Sequence, residues 1–536
     1  MDESRITSVG INVGSQTNPK EHGRGPIYSD GSFEYVPITE RDETVDYPTY
    51  GDLENNASIV QEHLDDVAHF DPEFPEFGPG ENYTYGDPGK IKRRSLSKLS
   101  QGDYVFFYGT LDYDDDRPPE RYWINDNWGG YIFGHFRLAV DPIVGEDAYQ
   151  SAPEDIKSAL ENNAHLRRNE LDENIVFILG DPIRSVLYET PIPLSLPATT
   201  LTTAAKANHL FEMDGADKKS AWHRGPIEFN QDVTEVLLQC YQSDRYLPIM
   251  GDPLVKYPGF HDFEYELGST EDLDKLDSFL ESNDLTEEER LLTSFLYIAG
   301  GWSIEVPRSV LEKADRPIET PASLLDDEDI PEVLTRTFES LRGTGWPHNH
   351  RTNIPRAAGR LRPDKQKDLE PYITEILLDA VESLAGETDS LSKMIQELEN
   401  SKVPFDDGMT RFKRVSSFSR LAAFDLLEVL VRSNGREQLK PNCLKKEYID
   451  SSGPKSGFEH VFGLSLDDAE EARRIQHLTQ LVAYACEEYE MSVADAIFSV
   501  ESALCNCQKG RTHSELTDLG YSTDEVEDVD RSQWNC

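Results

Sequence analysis

The 536-residue chain holds 101 acidic and 52 basic side chains, a formal charge of −49, and this acid excess reads as the hydration device of a cytoplasmic protein from a salt-accumulating organism. With 37% hydrophobic and 10% aromatic residues it is not a charge-repelled disordered chain, and no apolar run approaches the roughly 20 residues of a membrane span or reads as a signal peptide. Six cysteines, with one Cys-x-Cys at Cys505 and Cys507 and no pair of Cys-x-x-Cys knuckles, read as reduced thiols without structural zinc.

In chain order, short apolar runs between turn residues predict strands at 6–13, 33–38, 104–108, 131–140 and 175–179, with one helix over 153–168. From about residue 270 the apolar period lengthens to that of helices, as over 287–299, 371–384, 417–432 and 469–490. The fold class expected is α+β: a strand-rich N-terminal α/β or barrel-like domain over 1–245, an irregular junction around 240–270, and an all-α helix-hairpin-helix domain over 270–512. An acidic flexible tail is expected over 513–536.

The N-terminal domain is dense in turns. Gly10-Ile11-Asn12-Val13-Gly14 precedes His22-Gly23-Arg24-Gly25-Pro26-Ile27 and Asp30-Gly31-Ser32-Phe33-Glu34-Tyr35-Val36-Pro37-Ile38. Glycines let backbone amides approach a ligand, with His22, Arg24 and Asp30 at its rim; the competing reading is a hairpin connection turning at Asp30-Gly31. Further on, Gly102-Asp103-Tyr104 and Trp128-Gly129-Gly130 open two strands of a strongly bent sheet. Tyr122, Trp123 and Trp128 are candidates to stack a base, or else they are core. Lys90, Lys92, Arg93, Arg94 and Lys98 form an acid-free island just before this sheet.

These elements, with Tyr50-Gly51-Asp52 and Phe177-Ile178-Leu179-Gly180-Asp181-Pro182, resemble the third nucleotide-modification-associated domain family over roughly residues 5–240. Such domains accompany predicted DNA-base hypermodification systems; the turn-rich block and the aromatic sheet beside it place the expected N-terminal ligand site at His22, Arg24, Asp30 and Trp128.

Two further basic islands lie in the helical half. Residues 342–367 carry seven Lys and Arg against Asp364 alone, and 405–463 carry ten against eight acids. Local charge of the wrong sign is a candidate polyanion footprint, or a set of solvated faces and ion-pair partners. Gly453-Pro454-Lys455-Ser456-Gly457 between helical patterns reads as a glycine-rich hairpin offering amides and a charge to a phosphate, or as a plain helix connection. Asp425 and Glu428 share a face of an otherwise apolar helix; Asp425 is either paired with Arg420 or Lys509 or chemically employed. His348 and His350 are only two adjacent ligands, so no metal site is assigned, and no cofactor is identified.

Ala422-Ala423-Phe424-Asp425-Leu426, Gly453-Pro454-Lys455-Ser456-Gly457 and Ala503-Leu504-Cys505-Asn506-Cys507-Gln508-Lys509-Gly510 resemble the helical alpha-glutamyl/putrescinyl-thymine pyrophosphorylases over about 275–512, although Cys507 stands where that family carries a large aromatic. The resemblance implies DNA with a modified base as partner, beside other DNA-modification enzymes, and an amine or amino-acid co-substrate. On this reading Arg420 and Lys509 meet the pyrophosphate and Asp425 manages the amine proton. Gly453, Pro454, Lys455 and Gly457 hold the DNA backbone, and Arg356, Arg360 and Arg362 line the strand channel. The alternative is a non-catalytic or glycosylase-like reader or remover of modified bases.

Overall fold

The computed structural model describes residues 5–13, 24–40, 47–52, 63–78, 80–125, 127–168, 171, 174–194, 226–249, 253–267, 273–313, 318–341, 369–469 and 471–507. His22, Lys509, the island with Arg356, Arg360 and Arg362, the histidines His348 and His350, and the tail 513–536 lie outside these residues.

Strands occupy the first half: β1 (Ser8–Asn12), β2 (Gly25–Ile27), β3 (Ile38–Thr39), β4 (Ala68–His69), β5 (Thr84–Asp87), β6 (Tyr104–Tyr113), β7 (Trp128–Arg137), β8 (Ile143–Val144), β9 (Val176–Leu179), β10 (Val186–Pro193) and β11 (Ile227–Phe229). The main sheet runs β10-β7-β6-β1-β11, and β2 continues the edge of β6 beyond β1. β1 and β2 run parallel to β6, while the β6–β7 and β7–β10 pairs are antiparallel. Of the two forms expected, this is an open mixed sheet, with β10 and β11 at its edges among the described residues.

Both faces of that sheet are covered, which explains why Tyr104–Tyr113 reads as a nearly unbroken apolar run rather than an alternating one. The side-chain alternation of a strand sends Val105 and Phe107 to one side and Phe106 and Tyr108 to the other. Phe106 and Tyr108 join a core that continues through the helices to Leu504 and Cys507. Val105 and Phe107 meet Tyr35, Phe70, Phe74, Tyr85 and Phe136, so an aromatic core closes the far side.

After residue 230 the described chain is helical. Helices Glu287–Ala299, Leu369–Glu387, Arg420–Asn434 and Glu471–Glu488 stand where the period predicts them. The expected junction is more ordered than its turn residues suggest, with helices Gln231–Ser243 and Phe260–Leu267. The second seats against the C-terminal helices: a Cβ on Gly259 would lie 2.3 Å from the carbonyl of His460, and His460 Nε2 meets Asp262 Oδ2 at 2.8 Å.

Two local expectations change. The 153–168 helix divides into Glu154–Leu160 and a 3₁₀ turn Ala164–Arg167, because Asn163 leaves the helix and its side chain accepts the amide of His165. The 33–38 strand is reduced to an isolated bridge at Phe33 and the short β3. Tyr35 and Val36 are buried in different clusters, and Pro37 has no N–H to give a ladder.

Candidate functional site

The segment after β4 reads Ala68-His69-Phe70-Asp71-Pro72-Glu73-Phe74, and its alternation sorts the side chains. Phe70 and Phe74 enter the aromatic core, Phe74 lying 5.2 Å from Phe136 and Phe70 6.2 Å from Tyr35. The intervening His69, Asp71 and Glu73 are all buried, and each is held by a polar partner. Asp71 Oδ1 accepts the amide of Gly86 and the Asn163 side-chain amide, both at 2.9 Å. Asn163 also donates to Thr84 Oγ1 at 3.1 Å, and Thr84 donates to Glu73 Oε2 at 2.8 Å.

The 3₁₀ turn that Asn163 caps delivers His165, whose Nε2 stands 3.4 Å from Asp71 Oδ2. The His69 and His165 rings are 5.1 Å apart and nearly perpendicular. Behind His69, Glu40 Oε2 meets Nδ1 at 2.7 Å, and Arg168 grips both oxygens of Glu40 at 3.0 Å. Gly86 is required by this packing, since a Cβ there would lie 2.7 Å from His165 Cδ2.

Burial chiefly pushes the Glu73 carboxyl up to about 7; the Thr84 hydroxyl opposes the rise and the Asp71 charge adds to it. Burial likewise drives the Tyr35 and Tyr47 hydroxyls well above the ordinary tyrosine value, with Asp71 the foremost charge acting on each. Tyr35 Oη is buried without a hydrogen-bond partner among the described residues.

None of these residues was singled out from sequence as a site. The alternation of His69, Asp71 and Glu73 with two aromatics was the available signal. His165 lies 96 positions beyond His69 and carries no local signature.

The residues that were singled out in this half behave otherwise. Arg24 lies over the Trp128 ring at 4.5 Å and reaches Asp112 at 2.7 Å, so these two are brought together. Asp30 instead closes its own turn, accepting the Ser32 amide at 2.9 Å and hydroxyl at 2.6 Å, which lowers its carboxyl. Gly31, at φ 94°, completes the Asp-Gly turn. Tyr122, Trp123 and Trp128 do not present faces for stacking: all three are buried, and Tyr122 donates its hydroxyl to Glu487. In the nearby basic island, Lys92 pairs with Asp87, Lys98 with Glu228, and Arg93 donates to Asn174.

In the helical half, Arg420 opens helix Arg420–Asn434, and its partner is Glu501 rather than Asp425. Arg420 Nη2 donates to Glu501 Oε1 at 3.1 Å and to Ser451 Oγ at 2.5 Å. Its Nε and Nη1 are buried without a hydrogen-bond partner among the described residues. Asp425 is fully buried on the same helix, and Glu428 is engaged by Arg432 at 2.6 Å.

Gly453, Pro454, Lys455 and Gly457 lie in the first two turns of helix Ser452–Phe462, not in the turn before it, which is Asp450-Ser451 after the short helix Lys446–Ile449. Their spacing serves close packing. A Cβ on Gly457 would fall 1.8 Å from the Leu504 carbonyl, and one on Gly453 2.6 Å from Cys505 Sγ. Lys455 pairs with Asp467, whose carboxyl Lys446 and then Lys455 hold down at about 2.

Among the described residues no helix is long and apolar enough to cross a membrane. No curated protein and no solved structure matches the chain. Residues 7–243 match the family model of nucleotide modification associated domain 3, so the strand-rich part that holds the His69, Asp71 and His165 cluster is similar to that domain.

Proposed function

We propose that the chain modifies a pyrimidine base in DNA, and that its helical half exchanges pyrophosphate on a 5-hydroxymethyl group for an amine. The amine nitrogen bonds to the 5-methylene carbon as the carbon–oxygen bond to pyrophosphate breaks. The leaving anion is met by Arg420 and Lys509, and the surplus amine proton passes to Asp425. Such chemistry requires a base taken out of the helix, with the backbone held by the start of helix Ser452–Phe462 and by Arg356, Arg360 and Arg362.

The observation that carries this reading is Arg420. A buried guanidinium with two donors unspent among the described residues, beside the start of a helix, suits an anionic ligand. The domain match at 7–243 supports the wider role in nucleotide modification. The full burial of Asp425 favours a second reading, a helical half that reads or holds a modified base without reacting.

Mass spectrometry of DNA nucleosides from cells with and without the gene tests the first reading: an amine-bearing pyrimidine should vanish on deletion. Asp425→Asn should abolish that product while DNA binding persists, whereas a reader is indifferent to the change. Charge reversal at Arg356, Arg360 and Arg362 should lower the salt slope of log affinity by about one per lost phosphate contact.

A further inference from the structure

We propose that His69, Asp71 and His165 bind a divalent first-row transition ion in the N-terminal domain, through two imidazoles and one carboxylate. Each offers one ligand atom, these atoms lie within 4.8 Å of one another, and all three residues are buried.

The hydrogen bonds around the cluster sort its atoms into spent and unspent. Asp71 Oδ1 is committed to Gly86 and Asn163, which leaves Oδ2 for the site. His69 Nδ1 stands 2.7 Å from Glu40, a far shorter contact than the 3.5 Å approach of Arg168. A carboxylate only accepts, so Nδ1 carries the proton and Nε2 keeps its lone pair. This is the carboxylate–histidine support that holds metal-binding imidazoles in one tautomer, and Arg168 fixes the carboxylate in turn.

The 3.4 Å between His165 Nε2 and Asp71 Oδ2 is longer than a hydrogen bond of normal strength. It equals the edge, about 3.4 Å, of a tetrahedron whose ligands stand about 2.1 Å from a metal. Two imidazoles and one carboxylate are a borderline donor set suited to zinc, iron, manganese or cobalt rather than to calcium. Three protein ligands leave further coordination positions open. This inference does not depend on the pyrophosphate exchange, which belongs to the other half of the chain.

The test uses the full chain, stripped with chelator and titrated with cobalt(II) and zinc(II), with metal content measured by mass spectrometry. About one equivalent should bind, and cobalt should give the visible absorption of a low-coordinate nitrogen–oxygen site. His69→Gln and His165→Gln should each weaken binding at least 100-fold, and Glu40→Gln roughly 10- to 100-fold. A His348→Ala/His350→Ala double variant should bind as tightly as the parent.

Should the ligand variants fail to fold, metal protection of His69 and His165 from acylation, mapped by peptide mass spectrometry on the parent chain, decides instead. Folded parent protein that takes up no stoichiometric metal overturns the proposal and leaves one hydrogen-bonded histidine–carboxylate pair, His69 with Glu40, beside the longer contact of His165 with Asp71. Binding that survives loss of both imidazoles, or leaves both unprotected, overturns it as well.

Discussion

Glu487 Oε1 accepts the backbone N–H of Tyr246 at 2.7 Å, across 241 positions of sequence. The same oxygen accepts the amide of Leu247 at 2.9 Å and the hydroxyl of Tyr122, and Arg245 approaches the other oxygen at 3.4 Å. One buried carboxylate near the end of helix Glu471–Glu488 therefore ties the helical half to the chain leaving the sheet. Glu487→Ala would strand two amides and a hydroxyl, at a cost of about 3 kcal/mol. Urea unfolding measures this, and a loss below about 1 kcal/mol would show that this carboxylate adds little to the other contacts between the halves.

Trp128 tests the fate of the aromatic signature. It is 8% exposed, opens β7, and carries the Arg24 guanidinium on its face. Trp128→Ala should lower unfolding free energy by about 3–5 kcal/mol, as for other buried tryptophans. A variant that melts like the parent yet loses nucleotide affinity would restore the stacking role.

Legibility in the sequence followed the range of the interactions. Helices such as Glu287–Ala299 were readable because their apolar period and the Thr286 capping box are local. The Asp30-Gly31 turn and the strands Tyr104–Tyr113 and Trp128–Arg137 were readable for the same reason. The site residues were not. Arg420 finds Glu501 81 positions on, and Asp71 finds His165 only once Asn163 breaks a helix to hold it. Gly453 and Gly457 illustrate the ambiguity: a glycine needed for phosphate approach and one needed beside Leu504 look identical in sequence.

Those glycines can be separated from the charge beside them. Gly457→Ala places a methyl group against the Leu504 carbonyl, so helices Ser452–Phe462 and Val493–Cys507 must part, costing about 3 kcal/mol by overpacking. Lys455→Ala touches only the solvent-exposed pair with Asp467 and should leave thermal melting unchanged. If the helix start contacts DNA, Lys455→Ala still lowers the salt slope of binding by about one. An unchanged slope would mark Lys455 as a surface partner of Asp467 only.

The last prediction concerns acid stability and rests on His135. Its Nδ1 meets the Tyr188 hydroxyl at 2.8 Å and its Nε2 the Arg184 carbonyl at 3.0 Å. A carbonyl only accepts, so Nε2 carries the proton and Nδ1 accepts from the tyrosine, which is the neutral ring. Burial pushes its pKa down to about 4, against a smaller opposing pull from the Arg184 carbonyl. In the unfolded chain the value is about 6.5, so between the two the unfolded state binds more protons. The stability this ring contributes is therefore complete above about pH 6.5 and is lost as pH falls toward about 4, amounting to about 3 kcal/mol. His135→Gln, which keeps a donor and an acceptor but cannot titrate, should lack that step. The unfolding free energies of parent and variant, measured from about pH 7 to about pH 4, should converge by about 3 kcal/mol relative to their gap at neutrality. Parallel curves would mean that the ring takes up its proton in the folded protein as readily as in the unfolded chain.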